Sequence, residues 1–226
     1  ESHLTIGYKN LKGWNSKDYE NTLTIVDQYN SSCTIVPIVS DRGFIHALYF
    51  IEHIKEKVRI SIDDEEVTYN GVHGINAFIW KDFIKYFVTY IAKENDTLVL
   101  DNLKIHHNID MLKLLKEKGI NVVFNPPFTW NIIHPLDNKI FGEIKNKYKA
   151  ISKSKIIACF QDQVDTITSI CDEINECSNI TLHSFRNCGY PRFLCSKPYL
   201  KTDLDIKDQI SDDTFKIFKF KKNITK

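Results

Sequence analysis

Apolar positions recur with two periods along this chain, and the switch between them marks the predicted elements. Leu4 and Ile6 open with the two-residue period of a strand. Thr22-Leu23-Thr24-Ile25-Val26 is β-branched throughout and predicts a second strand. Thr34 to Val39 predicts a third. Ser40-Asp41-Arg42-Gly43 then supplies turn chemistry, and Phe44 to Phe50 returns as a partner, so a hairpin is expected. Val58-Arg59-Ile60-Ser61-Ile62 alternates cleanly, as a half-exposed strand does. Asp63 to Gly74 is polar and reads as a loop, so residues 51–75 are expected to be an insertion or extended connection.

Beyond this point the period lengthens. Phe78, Ile79, Phe83, Phe87, Val88 and Ile91 fall at helical spacing between Asn76 and Ala92. Thr97-Leu98-Val99-Leu100 is short and uncharged, which suits a central strand, and Asp101 closes it. A helix follows, with Met111, Leu112, Leu114 and Leu115 inward and Gly119 as its C-terminal cap. Asn121 to Phe124 is the next strand, so strand, helix and strand predict a βαβ unit with parallel strands. Pro126-Pro127 stops that strand. Pro135 fits the first turn of another helix, with Leu136, Ile140, Ile144 and Tyr148 as its buried stripe. Val164, Ile167, Ile170 and Ile174 mark a further helix.

Composition narrows the class without naming a chemistry. The 226 residues suffice for one large domain, or a domain with a helical annex, and 42% hydrophobic residues can fill its core. No apolar run approaches the roughly 18 residues of a membrane span, and no secretory leader is evident. None of the six cysteines forms a Cys-x-x-Cys pair, so reduced thiols in an intracellular protein are expected. The net charge of +1 is small for a nucleic-acid binder. It is uneven, however: Lys145, Lys147, Lys149, Lys153 and Lys155 crowd one stretch, and a second basic group ends the chain.

Two carboxylates stand out by position. Asp101 lies at the carboxyl end of a buried parallel strand, the edge where open α/β sheets bind ligands. Asp137 lies in the first turn of a helix, after a proline-rich loop. Carboxylates so placed can hold hard cations such as Mg²⁺ and leave room for phosphate and water. Two such ions about 4 Å apart serve phosphodiester chemistry. Blander readings stand beside these: an Asx turn at Asp101, and an acid favouring the helix dipole at Asp137. A zinc site from His106, His107 and His134 is a further alternative.

Asp101-Asn102-Leu103-Lys104-Ile105-His106 resembles the Asp-Asn-x-x-x-His segment of mariner-type DDE transposases and their insertion-sequence relatives. Pro126-Pro127-Phe128-Thr129 and His134-Pro135-Leu136-Asp137-Asn138 resemble that family's Pro-Pro-Tyr-Ser and Asn-Pro-Ile-Glu-Asn, with Asp137 on the third metal ligand. Ser184 to Tyr190 and Ile38 to Gly43 resemble its closing element and its first hairpin. Glu1-Ser2-His3-Leu4 resembles its opening strand, whose catalytic Asp would immediately precede Glu1.

The resemblance implies an RNase H-like α/β fold: a mixed sheet of about five strands flanked by helices, with a helical C-terminal annex. Residues 1–155 would form the catalytic core and 156–226 the extension and tail. It implies Asp101 and Asp137 as catalytic metal ligands, with Glu1, Asn102, His106 and Asn138 near the site. Two Mg²⁺ or Mn²⁺ ions would serve strand cleavage and 3′-hydroxyl transfer onto target DNA, with no organic cofactor. The partners would be transposon ends, target DNA and a second copy of the protein, in the nucleus of a eukaryote or the cytoplasm of a bacterium. A decayed transposase that binds DNA or protein without cutting, and a ribonuclease of the same fold, are the alternatives.

Overall fold

The computed structural model describes residues 2–5, 32–40, 45–62, 65–127, 129–155, 157–176, 179–190, 215–218 and 221–222. The elements are a mixture of strands and helices, as the two periods predict. Strands β1 (Ser2–Thr5), β2 (Ser32–Val39) and β3 (Ile45–Glu52) pair antiparallel in that order. The predicted hairpin is therefore present, with Ile35 opposite Phe50 and Ile38 opposite Ala47. The strand expected at residues 22–26 and the hairpin turn at 41–44 lie outside the described residues.

The expected loop at residues 63–74 is a correction. β4 (Ile54–Ile62) and β5 (Glu65–Val72) form an antiparallel hairpin, with Val58 opposite Tyr69 and Ile60 opposite Val67. Val67, Tyr69 and Gly71 alternate with the exposed Glu66, Thr68 and Asn70. The apolar contribution is thin, and the polar outer face made the segment look like a loop. A strand with one solvated face needs no more than this.

α1 (Ala77–Tyr90) starts where Asn76 Oδ1 accepts from the backbone N–H groups of Phe78 (3.0 Å) and Ile79 (2.9 Å). That satisfies two of the donors every helix leaves open at its start. β6 (Thr97–Leu100), α2 (Ile109–Glu117) and β7 (Asn121–Phe124) form the predicted βαβ unit, and β6 and β7 are parallel. Gly119 takes φ +70°, the left-handed conformation its capping position requires. After α3 (Trp130–Ile133) and a wide turn at Leu136–Ile140 come α4 (Phe141–Ile151), α5 (Phe160–Glu176) and α6 (Asn179–Asn187). β8 (Phe215–Phe218) joins β3 in parallel, and β9 (Lys221–Lys222) joins β4.

The described strands make three hydrogen-bonded sheets, not one sheet of five: β1-β2-β3-β8, β5-β4-β9 and β6-β7. His53, between β3 and β4, separates the first two in sequence. β6 and β7 are four residues each and, among the described strands, share a ladder only with each other.

Two cores lie on opposite faces of β2 and β3. Alternate residues divide between them, as the two-residue period of a strand demands. Val36, Tyr49 and Ile51 face a core shared with α1, β6 and α2. Ile35, Leu48 and Phe50 face one shared with α4 and α5. Among the described cysteines, Cys33, Cys171 and Cys188 are buried thiols and Cys159 is an exposed one. Burial pushes the thiols of Cys33 and Cys171 up to about 12, which keeps them protonated and unreactive.

Candidate active site

Asp101 is the first residue past β6, so the position of Leu100, buried in the first core, fixes where it stands. The chain then turns through a short 3₁₀ segment, Lys104–His107, which brings His106 back over the acid. His106 Nδ1 lies 2.6 Å from Asp101 Oδ1 and 3.2 Å from the Asp101 carbonyl oxygen. A carbonyl only accepts, so Nδ1 carries the hydrogen and donates to it. The contact with the carboxylate is short but electrostatic, and Oδ1 has no aligned donor among the described residues. On its other side the His106 ring lies against Trp80 of α1, with centroids 4.3 Å apart. His106 is thus buried and held from two directions.

Burial is the largest influence on the Asp101 carboxyl and pushes it up. The proximity and charge of His106, with smaller pulls that include His134, outweigh burial and hold it below the ordinary carboxylate value. The influence of His134 matters for another reason. Its Nδ1 lies 2.8 Å from Asp137 Oδ2. The imidazole that touches Asp137 thus also exerts a minor pull on the Asp101 carboxyl.

Asp137 occupies an irregular place. Pro135 opens the helical run with φ −59°, as its ring requires. Leu136–Ile140 then form a π-helical turn, in which the Phe141 N–H donates to the Leu136 carbonyl five residues back. Such widened turns are rare and concentrate at functional sites. Ser184 of α6 donates from its hydroxyl to the Pro135 carbonyl, a buried bond that ties the turn to the last helix.

Of the other expected site residues, Asn102 is exposed and its Oδ1 accepts from His107 Nε2 at 2.5 Å. His107 also stacks on Phe124, with centroids 4.2 Å apart. Asn138 is exposed, and its N–H donates to the His134 carbonyl at 3.0 Å. Glu1 lies outside the described residues. The alternative zinc site is not formed: His106 turns to Asp101, His107 to Asn102 and His134 to Asp137. No group of three or more His, Cys, Asp or Glu side chains converges as metal ligands among the described residues. The donors that are present suit a hard cation: two carboxylates, one with a buried oxygen that lacks an aligned donor.

Trp80 and Ser184 were not legible as site residues. Trp80 shares the helical repeat and buried face of Phe83, Ile84 and Phe87, so its place in the core could be read, but its contact with His106 could not. Ser184 acts across 49 residues, a separation no local pattern reports.

The relationships to known proteins fit this geometry. The chain is 27% identical over 129 residues to the MFS-type transporter clz9 of Cochliobolus lunatus. That alignment covers 56% of this chain and 14% of the fungal protein, so the chain spans a small part of that protein's length. Among the described residues no helix is long and apolar enough to cross a membrane. The DDE superfamily endonuclease family model matches residues 53–185, from the start of the β4–β5 hairpin to α6, and so includes Asp101, His106, His134 and Asp137. With more than half of its length matched, this chain belongs to the DDE superfamily endonuclease family.

Proposed function

We propose that the chain is the catalytic core of a DDE transposase of RNase H-like type, which cuts DNA and joins the freed 3′ end to a target strand. The observation that supports this reading is the family match over residues 53–185, which takes in two acids each set beside an imidazole, Asp101 by His106 and Asp137 by His134. Asp101 and Asp137 would hold divalent Mg²⁺ or Mn²⁺. When bound, such ions supply the positive charge that activates an attacking oxygen and steadies a leaving one.

The chain's own groups do the rest. Asp101 is held as an anion, ready to bind a cation without first losing a proton. His106, braced by Trp80, fixes the orientation of that carboxylate. Asp137, on its widened turn, can be re-aimed by a small change in local winding. In cutting, water adds to phosphorus, the P–O3′ bond breaks and the 3′ oxygen takes a proton. In joining, that hydroxyl adds to a target phosphorus, and the target's own 3′ oxygen leaves with the proton. Lys145 and Lys149 are exposed one turn apart on α4, which runs on from the Asp137 turn. They would meet the phosphate backbone of the same DNA.

The test is a cutting and joining assay in which the full-length protein carrying this chain meets labelled duplex and Mg²⁺. Asp101→Ala and Asp137→Ala are each expected to reduce nicking by about 10³-fold or more, as when one member of a concerted site is removed. Variants that nick as well as the unaltered protein would refute the assignment. Duplex binding without cutting would mark a non-catalytic binding module, and cutting of RNA in hybrids without joining would mark a ribonuclease.

A further inference from the structure

We infer that Asn125 is a substrate-binding residue, whose side-chain amide donates to a phosphate oxygen of the DNA strand beside Asp101. The inference rests on the site proposed above and adds a contact to it.

Asn125 follows β7 as Asp101 follows β6. The two strands are parallel, with Leu100 paired to Phe124, and the Asn125 backbone N–H donates to the Leu100 carbonyl at 2.8 Å. Asp101 and Asn125 are therefore neighbouring positions just beyond the ladder. By the two-residue period they continue the face of Val99 and Val123. Asn125 is 6% exposed, and its Nδ2 has no hydrogen-bond partner among the described residues. A buried amide hydrogen without an acceptor is costly, and proteins satisfy nearly all such groups.

The two acids of the candidate site are already contacted, Asp101 Oδ1 by His106 Nδ1 at 2.6 Å and Asp137 Oδ2 by His134 Nδ1 at 2.8 Å, whereas Asn125 Nδ2 has no acceptor among the described residues. What Asn125 Nδ2 lacks is an acceptor. Phosphate oxygens only accept, so the scissile strand offers what the amide lacks. An uncharged donor also suits the place. It binds the phosphate without setting a second positive charge against a cation held by Asp101. Asn125 lies between the strand and Pro126-Pro127, whose rings cannot donate from their own nitrogens, so it is the last backbone-anchored donor before the turn.

The experiment compares Asn125→Leu and Asn125→Ser with the unaltered full-length protein, by melting temperature, Mn²⁺ binding and nicking of labelled duplex. Asn125→Leu removes an unsatisfied donor at similar volume, so its melting temperature should stay level or rise. Its Mn²⁺ binding should be unchanged. Its nicking should fall by about 10²-fold, the usual loss for one donor aimed at a reacting anion. Asn125→Ser keeps a shorter donor and should nick at a rate between the two. Wild-type nicking by Asn125→Leu would overturn the assignment, as would a melting temperature lowered by several degrees, which would mean the amide has a structural partner. A wild-type protein that takes up no Mn²⁺ would overturn the site and this contact together. Normal wild-type cutting matched by Asn125→Leu would overturn the contact alone.

Discussion

The two halves of the candidate site carry the same pair of groups, a carboxylate beside an imidazole, but they are built in opposite ways. In the Asp101 half the acid stands at the end of a strand whose last residue is core, and the His106 ring is wedged against Trp80. The side chain of His106 is only 10% exposed. In the Asp137 half, acid and imidazole are three residues apart on one irregular turn. Its links to distant sequence are the bond from Ser184 to Pro135 and the burial of Ile140, with Leu136 beside it, in the second core. The first half is rigid because dismantling it would open a core. The second stands on a π-helical turn that is anchored by Ile140 in the other core but wound off the α-helical minimum. In the proposed function this division would leave Asp101 as the ligand fixed in advance and Asp137 as the one that adjusts.

Breaking the rigid half should cost the most. Trp80→Ala is expected to lose about 3–5 kcal/mol, the range for emptying a large aromatic site in a core. Urea unfolding would read this as a lower midpoint at unchanged slope. A loss under about 1 kcal/mol would show that Trp80 does not brace His106. The adjustable half should respond differently. Ser184→Ala leaves the Pro135 carbonyl buried without its donor and should cost about 1–2 kcal/mol. Its nicking rate should fall further than its stability does, because the turn carrying Asp137 is released. Comparing both variants by melting and by nicking sharpens the contrast: Trp80→Ala as mainly a stability lesion, Ser184→Ala as mainly an activity lesion.

The smallest effect is a dependence on pH. The Asp101 carboxyl is held below its ordinary value, so the folded state binds that proton more weakly than the unfolded chain. The stability this adds is fully present above the unfolded value, about 3.9. It is lost as pH falls through the lower folded value. Asp101→Asn should therefore melt below the unaltered protein near neutrality, and the gap should close below about pH 4. With the side chain 32% exposed, solvent keeps the gap small. A gap that widened on acidification would reverse the sign argued here.

How far the sequence foretold this molecule depended on the range of the forces involved. The βαβ unit, the cap at Gly119, the helix after Asn76 and the placing of Asp101 at a strand end were all legible. Each rests on local periods and caps. The strand at Glu65–Val72 was missed because its outer face is polar and its inner face offers little beyond Val67 and Tyr69. The division into three sheets was also hidden, because hydrogen bonding between strands is a long-range choice that a two-residue period does not report. At the site, the paired motifs brought forward Asp101, His106 and Asp137. The wedge of Trp80, the tie from Ser184 and the contact of His134 with Asp137 are products of folding. Only the last lies within reach of a spacing argument, at three residues on one turn.

The central claim is that the fixed acid and the adjustable one grip the same divalent cation. Mn²⁺ binding, followed by electron paramagnetic resonance on the full-length protein, tests this without requiring DNA or turnover. The account predicts that Asp101→Ala and Asp137→Ala each weaken binding by about 10-fold or more, and that the double variant is scarcely worse than either. Wild-type Mn²⁺ affinity in either single variant, or losses that simply multiply in the double, would contradict it.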